Sequence, residues 1–159
     1  MAAYIKFDGI DGEATDKDHK GWTDLVAFSQ MITKPGQGTG ATRRRGDVVL
    51  EDLHCTKELD KSSPKIAEAV CNGKVFSKVE IHLTASYTDS GRVTYYAYEL
   101  KNVQVVSYDI GGSGQADDVP MENFSLNFEE IKVTYTENDN AGKSKGNIEY
   151  TWKVEEGEA

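Results

Sequence analysis

The sequence predicts a mainly β fold: an antiparallel β-barrel or sandwich of seven or eight strands, with one short helix at about 64–72 packed at its side. Three observations predict it. Apolar residues recur at every second position through several segments, as they do where a strand turns one face to a core and the other to water. Glycine-containing turn sequences separate these segments. A single stretch carries both the start and the stop signals of a helix.

The elements follow in order. Tyr4-Ile5-Lys6-Phe7 places a first strand at 3–8, and further strands are expected at 23–33 and 47–56. The helix at 64–72 has Ser63 as its cap, Pro64 in its first turn and Gly73 at its exit, with Ile66, Ala69 and Val70 facing the core. Next comes the clearest strand, in which Val79, Ile81, Leu83, Ala85 and Tyr87 alternate with Lys78, Glu80, His82, Thr84 and Ser86, so that His82 falls on the polar face. Asp89-Ser90-Gly91 then supplies a hairpin turn into a strand at 92–109. Phe124, Leu126 and Phe128 occupy even positions, whereas Ile131, Val133 and Tyr135 occupy odd ones. The change of parity predicts a β-bulge near Glu129-Glu130. After a turn at Asn140-Ala141-Gly142, the residues Ile148, Tyr150, Trp152 and Val154 alternate with Glu149, Thr151 and Lys153 in a final strand. Two segments lack periodicity. One is a long mobile loop at 34–46, with four glycines, and the other spans 111–120. The 159 residues make a single domain, 1–159, of a size to bury roughly 68 to 70% of its unfolded surface.

Charge narrows the function. A net charge of -9 opposes attraction to nucleic acid or to anionic membranes, so neither is expected as a partner. No apolar run approaches the roughly 20 residues that cross a bilayer, and Met1 to Phe7 shows no basic start followed by an apolar stretch. Cytoplasmic synthesis is the expectation, with Cys55 and Cys71 as reduced, buried thiols.

Candidate chemistry is incomplete wherever it arises, and no enzyme is expected. Gly142-Lys143-Ser144 resembles the end of a phosphate loop, but Glu137 replaces the required earlier glycine and a strand follows instead of a helix. Gly112-Ser113-Gly114 lacks the glycine that a nucleophile elbow needs at position 115. His19, His54 and His82 have no zinc-like spacing with the cysteines. Asp8, Asp11, Glu13, Asp16 and Asp18 do not follow the calcium-loop pattern and read as a solvated acidic turn. Glu129 and Glu130 are strand neighbours that point to opposite faces, so they cannot share a substrate. No cofactor or metal is therefore expected.

Two features instead suggest contact with other chains. Arg43, Arg44 and Arg45, with Lys34, make the 34–46 loop basic on an acidic chain. Three readings stand: docking onto an acidic surface of a second copy, a plain solvated loop, or nucleic-acid binding, the last opposed by the lack of interleaved aromatics. The run Val93 to Leu100, with Tyr95, Tyr96 and Tyr98, is apolar on both alternating faces. One face fills the core, and the other is covered either by a neighbouring subunit or by the helix of the same chain.

Four stretches taken together resemble the Hcp (haemolysin-coregulated protein) family. They are Tyr4 to Glu13 with Asp16, His19 and Trp22; Asp52 with Thr56 to Lys65; Ser107 to Ser113; and Pro120 with Glu122 and Ser125 to Ile131. The resemblance implies a β-barrel subunit with a side helix that forms a homohexameric ring, the rings stacking as the inner tube of a type VI secretion machine. It further implies a contractile sheath, a spike protein and secreted effectors as partners, and export through that machine without a signal peptide. The loop is similar to the family's extended loop at the ring-to-ring contact. Lys34, Pro35, Gly36, Thr39, Arg43, Arg44 and Arg45 are thus the candidates for stacking, and Tyr95, Tyr96 and Tyr98 for lateral contact. A secreted binding module or effector adaptor of the same fold, forming no tube, is the alternative.

Overall fold

A computed structural model of the protein describes residues 1–34, 48–87, 91–115 and 117–154. Strands β1 (Ala2–Phe7), β2 (Thr23–Leu25), β3 (Ala27–Ser29), β6 (Leu53–Glu58), β7 (Val75–Tyr87), β8 (Gly91–Gly111) and β9 (Met121–Asn127) form one antiparallel sheet in the order β2-β1-β7-β8-β9-β6-β3. The two ends of this order, β2 and β3, are parts of one segment separated by Val26 alone. Thr23 to Leu25 pairs with β1, the Val26 amide donates to the Thr56 carbonyl at 2.8 Å, and Ala27 to Ser29 pairs with β6. The segment therefore closes the sheet into a barrel and removes the edges an open sheet would expose. The single strand expected at 23–33 is divided because its successive parts ladder with different partners.

Four further strands stand off this circuit. β10 (Glu130–Asn138) pairs with β8 and with β11 (Ser144–Lys153), extending the β7-β8 side of the barrel as a flank. β4 (Ile32–Thr33) pairs with β5 (Val49–Leu50) in a two-stranded ribbon, so the strand expected at 47–56 is also divided. Helix α1 (Ser63–Asn72) packs on β8 with Ile66 and Ala69 buried and Val70 half-buried. Ser63 does not cap it. Ser62 holds the cap position, but its hydroxyl bonds Asp60 rather than a helix amide, and the Ser63 hydroxyl turns inward. Gly73 exits with φ 67°, a conformation that favours glycine.

The core is filled from every wall. Phe7 meets Phe76 and Phe124 at ring distances of 5.1 and 5.9 Å, within a cluster that includes Ile5, Leu53, Ile66, Val79, Ile81, Leu100, Leu126 and Ile131. Each such side chain contributes about 1.5 to 3 kcal/mol through burial. The bulge expected at Glu129-Glu130 is absent. Gln104 pairs with Asn127 and Lys101 with Glu130, leaving two residues unpaired on each side, so the register is preserved. The parity change instead comes from a break at Phe128 and Glu129, opposite Asn102, whose φ of 52° turns the long strand. Bulges lie elsewhere, between Leu83 and Thr84 and between Val105 and Ser107.

Candidate assembly surfaces

Cross-strand partners share a face, so the ladders show where the apolar face leads. Ile81 and Leu83 of β7 stand opposite Tyr98 and Tyr96 of β8; Tyr98, Tyr96 and Leu100 stand opposite Val133, Tyr135 and Ile131 of β10; and these stand opposite Tyr150, Ile148 and Trp152 of β11. One apolar face thus runs unbroken across four strands. Over β7, β8 and the start of β10 it is buried. At its far end it emerges into solvent, with Tyr135 and Tyr150 each 45% exposed and Ile148 74% exposed. Tyr150, Trp152, Ile32, Val48 and Leu50 line an apolar cleft of about 120 Å³ between β11 and the ribbon.

The three tyrosines expected at a lateral contact divide along this face. Tyr98, 5% exposed, packs on Phe28 and Tyr96 and belongs to the core, where burial raises its hydroxyl pKa. Tyr96 is half-buried against it. Tyr95 lines a cleft of about 190 Å³ with Ala85, Tyr87, Tyr135, Thr136 and Asn138. The outward apolar residues are instead those of β11, because no strand beyond β11 pairs with it among the described residues. Lys34 is exposed at the foot of the ribbon. Pro35, Gly36, Thr39, Arg43, Arg44 and Arg45 lie outside the described residues.

Residues of the quoted stretches gather into two polar clusters that local spacing did not reveal. In the first, Lys57 of β6 stands directly opposite Glu122 of β9, and both are fully buried. Lys57 Nζ lies 3.0 Å from Glu122 Oε1, Asp60 Oδ1 and Ser63 Oγ, and 2.9 Å from the Glu58 carbonyl. Ser63 also donates to Glu122. Burial, and then the bond to Glu122, push the Tyr108 hydroxyl up to about 12. The cluster ties two strands to the start of α1, and Ser63 is its hinge pin rather than a cap.

The second cluster joins the irregular excursion 8–22 to the barrel wall. His19 is buried, stacked on Tyr4 at 4.6 Å and edge-on to Trp22. Its Nδ1 lies 2.7 Å from Asp16 Oδ2, and its Nε2 lies 3.0 Å from Nδ1 of His82, which is half-buried rather than on an open polar face. The His19 bond holds the Asp16 carboxyl below its usual range, whereas burial, then His19, hold His82 below 6.5.

The remaining motifs are accounted for structurally. Gly142-Lys143-Ser144 closes a hairpin in which Asp139 Oδ1 accepts the amides of Ala141 and Lys143, both at 2.9 Å, and a strand follows. Glu129 accepts from Asn102, and Glu130 pairs with Lys101, so the two carboxylates serve separate partners. Asp11 pairs with Lys6, and Glu13 accepts the Lys61 amide. Cys55 is buried, and its thiol pKa is pushed up. Cys71, expected to be buried, is exposed on α1, and both are free. No helix among the described residues is long and apolar enough to cross a membrane.

The chain is thus a closed antiparallel barrel with a side helix and a flank that carries its core face into solvent. The chain belongs to the Hcp family: the model described as type VI secretion system effector, Hcp, matches residues 4–135. Protein hcp1 of Pseudomonas aeruginosa is 31% identical over 153 residues, covering 95% of this chain and 93% of that protein. A solved type six secretion system protein superposes with a TM-score of 0.90 at 28% identity, covering 99% of this chain and 98% of the other. Hcp1 of Escherichia coli EAEC 042 superposes with a TM-score of 0.78 at 25% identity, covering 96% and 97%.

Proposed function

We propose that this chain is a non-enzymatic structural subunit of the type VI secretion inner tube, closing into hexameric rings that stack, are ejected, and carry effectors in the lumen. The observation that carries the reading is the bare end of the core face: Tyr135 of β10 and Ile148 and Tyr150 of β11 continue a buried apolar surface out to an edge strand whose outer side no strand pairs among the described residues. Exposed apolar surface of this kind marks an interaction site. Ring closure needs a heterologous contact between two different patches, and the β10-β11 flank with Tyr95 supplies one of them. Stacking needs a second surface on the ring faces, and the basic 34–46 segment of an acidic chain suits it by charge. The sheath, the spike and secreted effectors are the partners this role requires, with export through the machine itself.

Electron micrographs of the purified full chain test the reading. Sixfold rings, stacking end to end at high concentration, are expected. A particle that stays monomeric at high concentration refutes the tube and favours an adaptor of the same fold.

A further inference from the structure

The hydrogen bonds around His19 and His82 set the number of protons the two rings hold. Asp16 Oδ2, 2.7 Å from His19 Nδ1, only accepts, so that nitrogen carries a hydrogen. The 3.0 Å contact between His19 Nε2 and His82 Nδ1 requires one hydrogen between them, neither none nor two. His82 Nε2, 3.4 Å from Glu80 Oε2, also favours a hydrogen toward a carboxylate. With the Glu80 contact made as an ion pair as well, the four ring nitrogens hold three hydrogens. Two neutral imidazoles hold only two, so the pair carries one positive charge between two carboxylates.

We propose that the His19–His82 pair is a proton-counting latch, holding the 8–22 excursion to the barrel wall with one charge and releasing it when a second proton binds. With four hydrogens, two N–H groups face each other across 3.0 Å, and the contact turns repulsive. Loss of the third hydrogen is milder, because it removes only the longest contact, to Glu80, at the partly exposed end of His82.

The surrounding charges sharpen the response. From β8, Arg92 sets Nε 3.6 Å from Asp16 Oδ1 and donates to the Tyr4 hydroxyl of β1 at 3.3 Å. From β7, Lys78 pairs with Glu80 at 2.7 Å, and Glu99 of β8 stands opposite Glu80 in the ladder. Asp24 of β2 acts on Tyr4 from the other side. A second proton on the pair therefore meets Arg92 and Lys78 as like charges while Asp16 and Glu80 are already engaged. His82 is held below its unfolded value, so its contribution to stability is present above about pH 6.5 and is lost as pH falls through the lowered value. Asp16 is also lowered, so its contribution is present above about pH 3.8 and is lost only below that. Asp24, raised by its burial, also titrates above its usual range, so the His82 variant is what separates the two contributions.

Amides inside the excursion report its release: Gly12 donates to the Gly21 carbonyl at 2.8 Å, Ala14 to Trp22 at 2.9 Å and Gly21 to Ala14 at 3.2 Å. The test is hydrogen exchange of the full chain from about pH 7.5 to about pH 4.5, corrected for intrinsic rates. The Gly12, Ala14 and Gly21 amides should lose protection by at least about tenfold, the change that one pKa unit represents, while Ile81 and Leu100 keep theirs. In His82→Gln the excursion should exchange at a rate independent of pH. No acidic loss in the wild type, or the same loss in the variant, overturns the proposal. Imidazole nitrogen spectra of the wild type test it without a variant. Three ring hydrogens at neutral pH and one further protonation coinciding with the exchange change are expected; two independent titrations with no exchange change refute it.

Discussion

The β7 wall and the β10-β11 flank carry the same apolar face, yet only one of them is covered. Val79, Ile81 and Leu83 alternate with polar residues as Ile148, Tyr150 and Trp152 do, and the ladders connect the two sets through β8 and β10. Ile81 is fully buried, whereas Ile148 is among the more exposed apolar residues of the chain. Alternation therefore reports that a face is built to be covered, not what covers it. Over the wall the cover comes from this chain; over the flank the proposed ring would supply it from another.

The sharpest contrast concerns charge inside the wall. Glu122→Ala leaves Lys57 buried without its main counter-charge, and a loss of about 3 to 5 kcal/mol is expected from denaturant midpoints. The double variant Lys57→Met with Glu122→Leu should recover most of it, since an apolar pair of similar volume removes the stranded charge. A single variant of near wild-type stability would mean that water reaches the cluster and the wall is less closed than described.

Truncations on the shared face come next in size. Ile81→Ala should lose about 2 to 5 kcal/mol of subunit stability, whereas Ile148→Ser should stay within about 0.5 kcal/mol while impairing ring formation in sedimentation. If Ile148→Ser unfolds the subunit instead, the flank is structural. If it leaves rings intact, the lateral contact lies elsewhere.

How much of this could be read from the sequence depended on whether a feature is local. The alternation on β7, the helix and its Gly73 exit are set by neighbouring residues and were legible. The barrel closure was not, because the switch at Val26 depends on partners distant in the chain. The Lys57–Glu122 pair left a faint signal: Lys57 shares parity with the buried Leu53 and Cys55, and Glu122 with Phe124 and Leu126. A charge at an inward position on each of two strands invites pairing across them, but only their register brings the two opposite each other. The His19–His82 contact left none, since 63 residues separate the rings. The parity change at 128–131 is legible but its cause is not, because a left-handed residue on the partner strand mimics an inserted one.

The smallest effect on the subunit, and the most selective, should come from the basic 34–46 segment. Replacing Arg43, Arg44 and Arg45 with Ala removes three charges from the sequence that joins β4 (Ile32–Thr33) to β5 (Val49–Leu50). Solvent-exposed ion pairs contribute about 0.2 to 1 kcal/mol each and weaken with salt. Subunit stability should therefore stay within about 0.5 kcal/mol, and rings should still form. Stacking is a different matter, because a sixfold ring repeats the same small loss at every subunit and the losses add along the face. Light scattering should thus show wild-type stacks shortening as salt rises, and the triple variant stacking weakly at low salt with little further response. Rings that fall apart while the survivors stack normally would transfer the arginines from the ring faces to the lateral contact, beside the β11 flank.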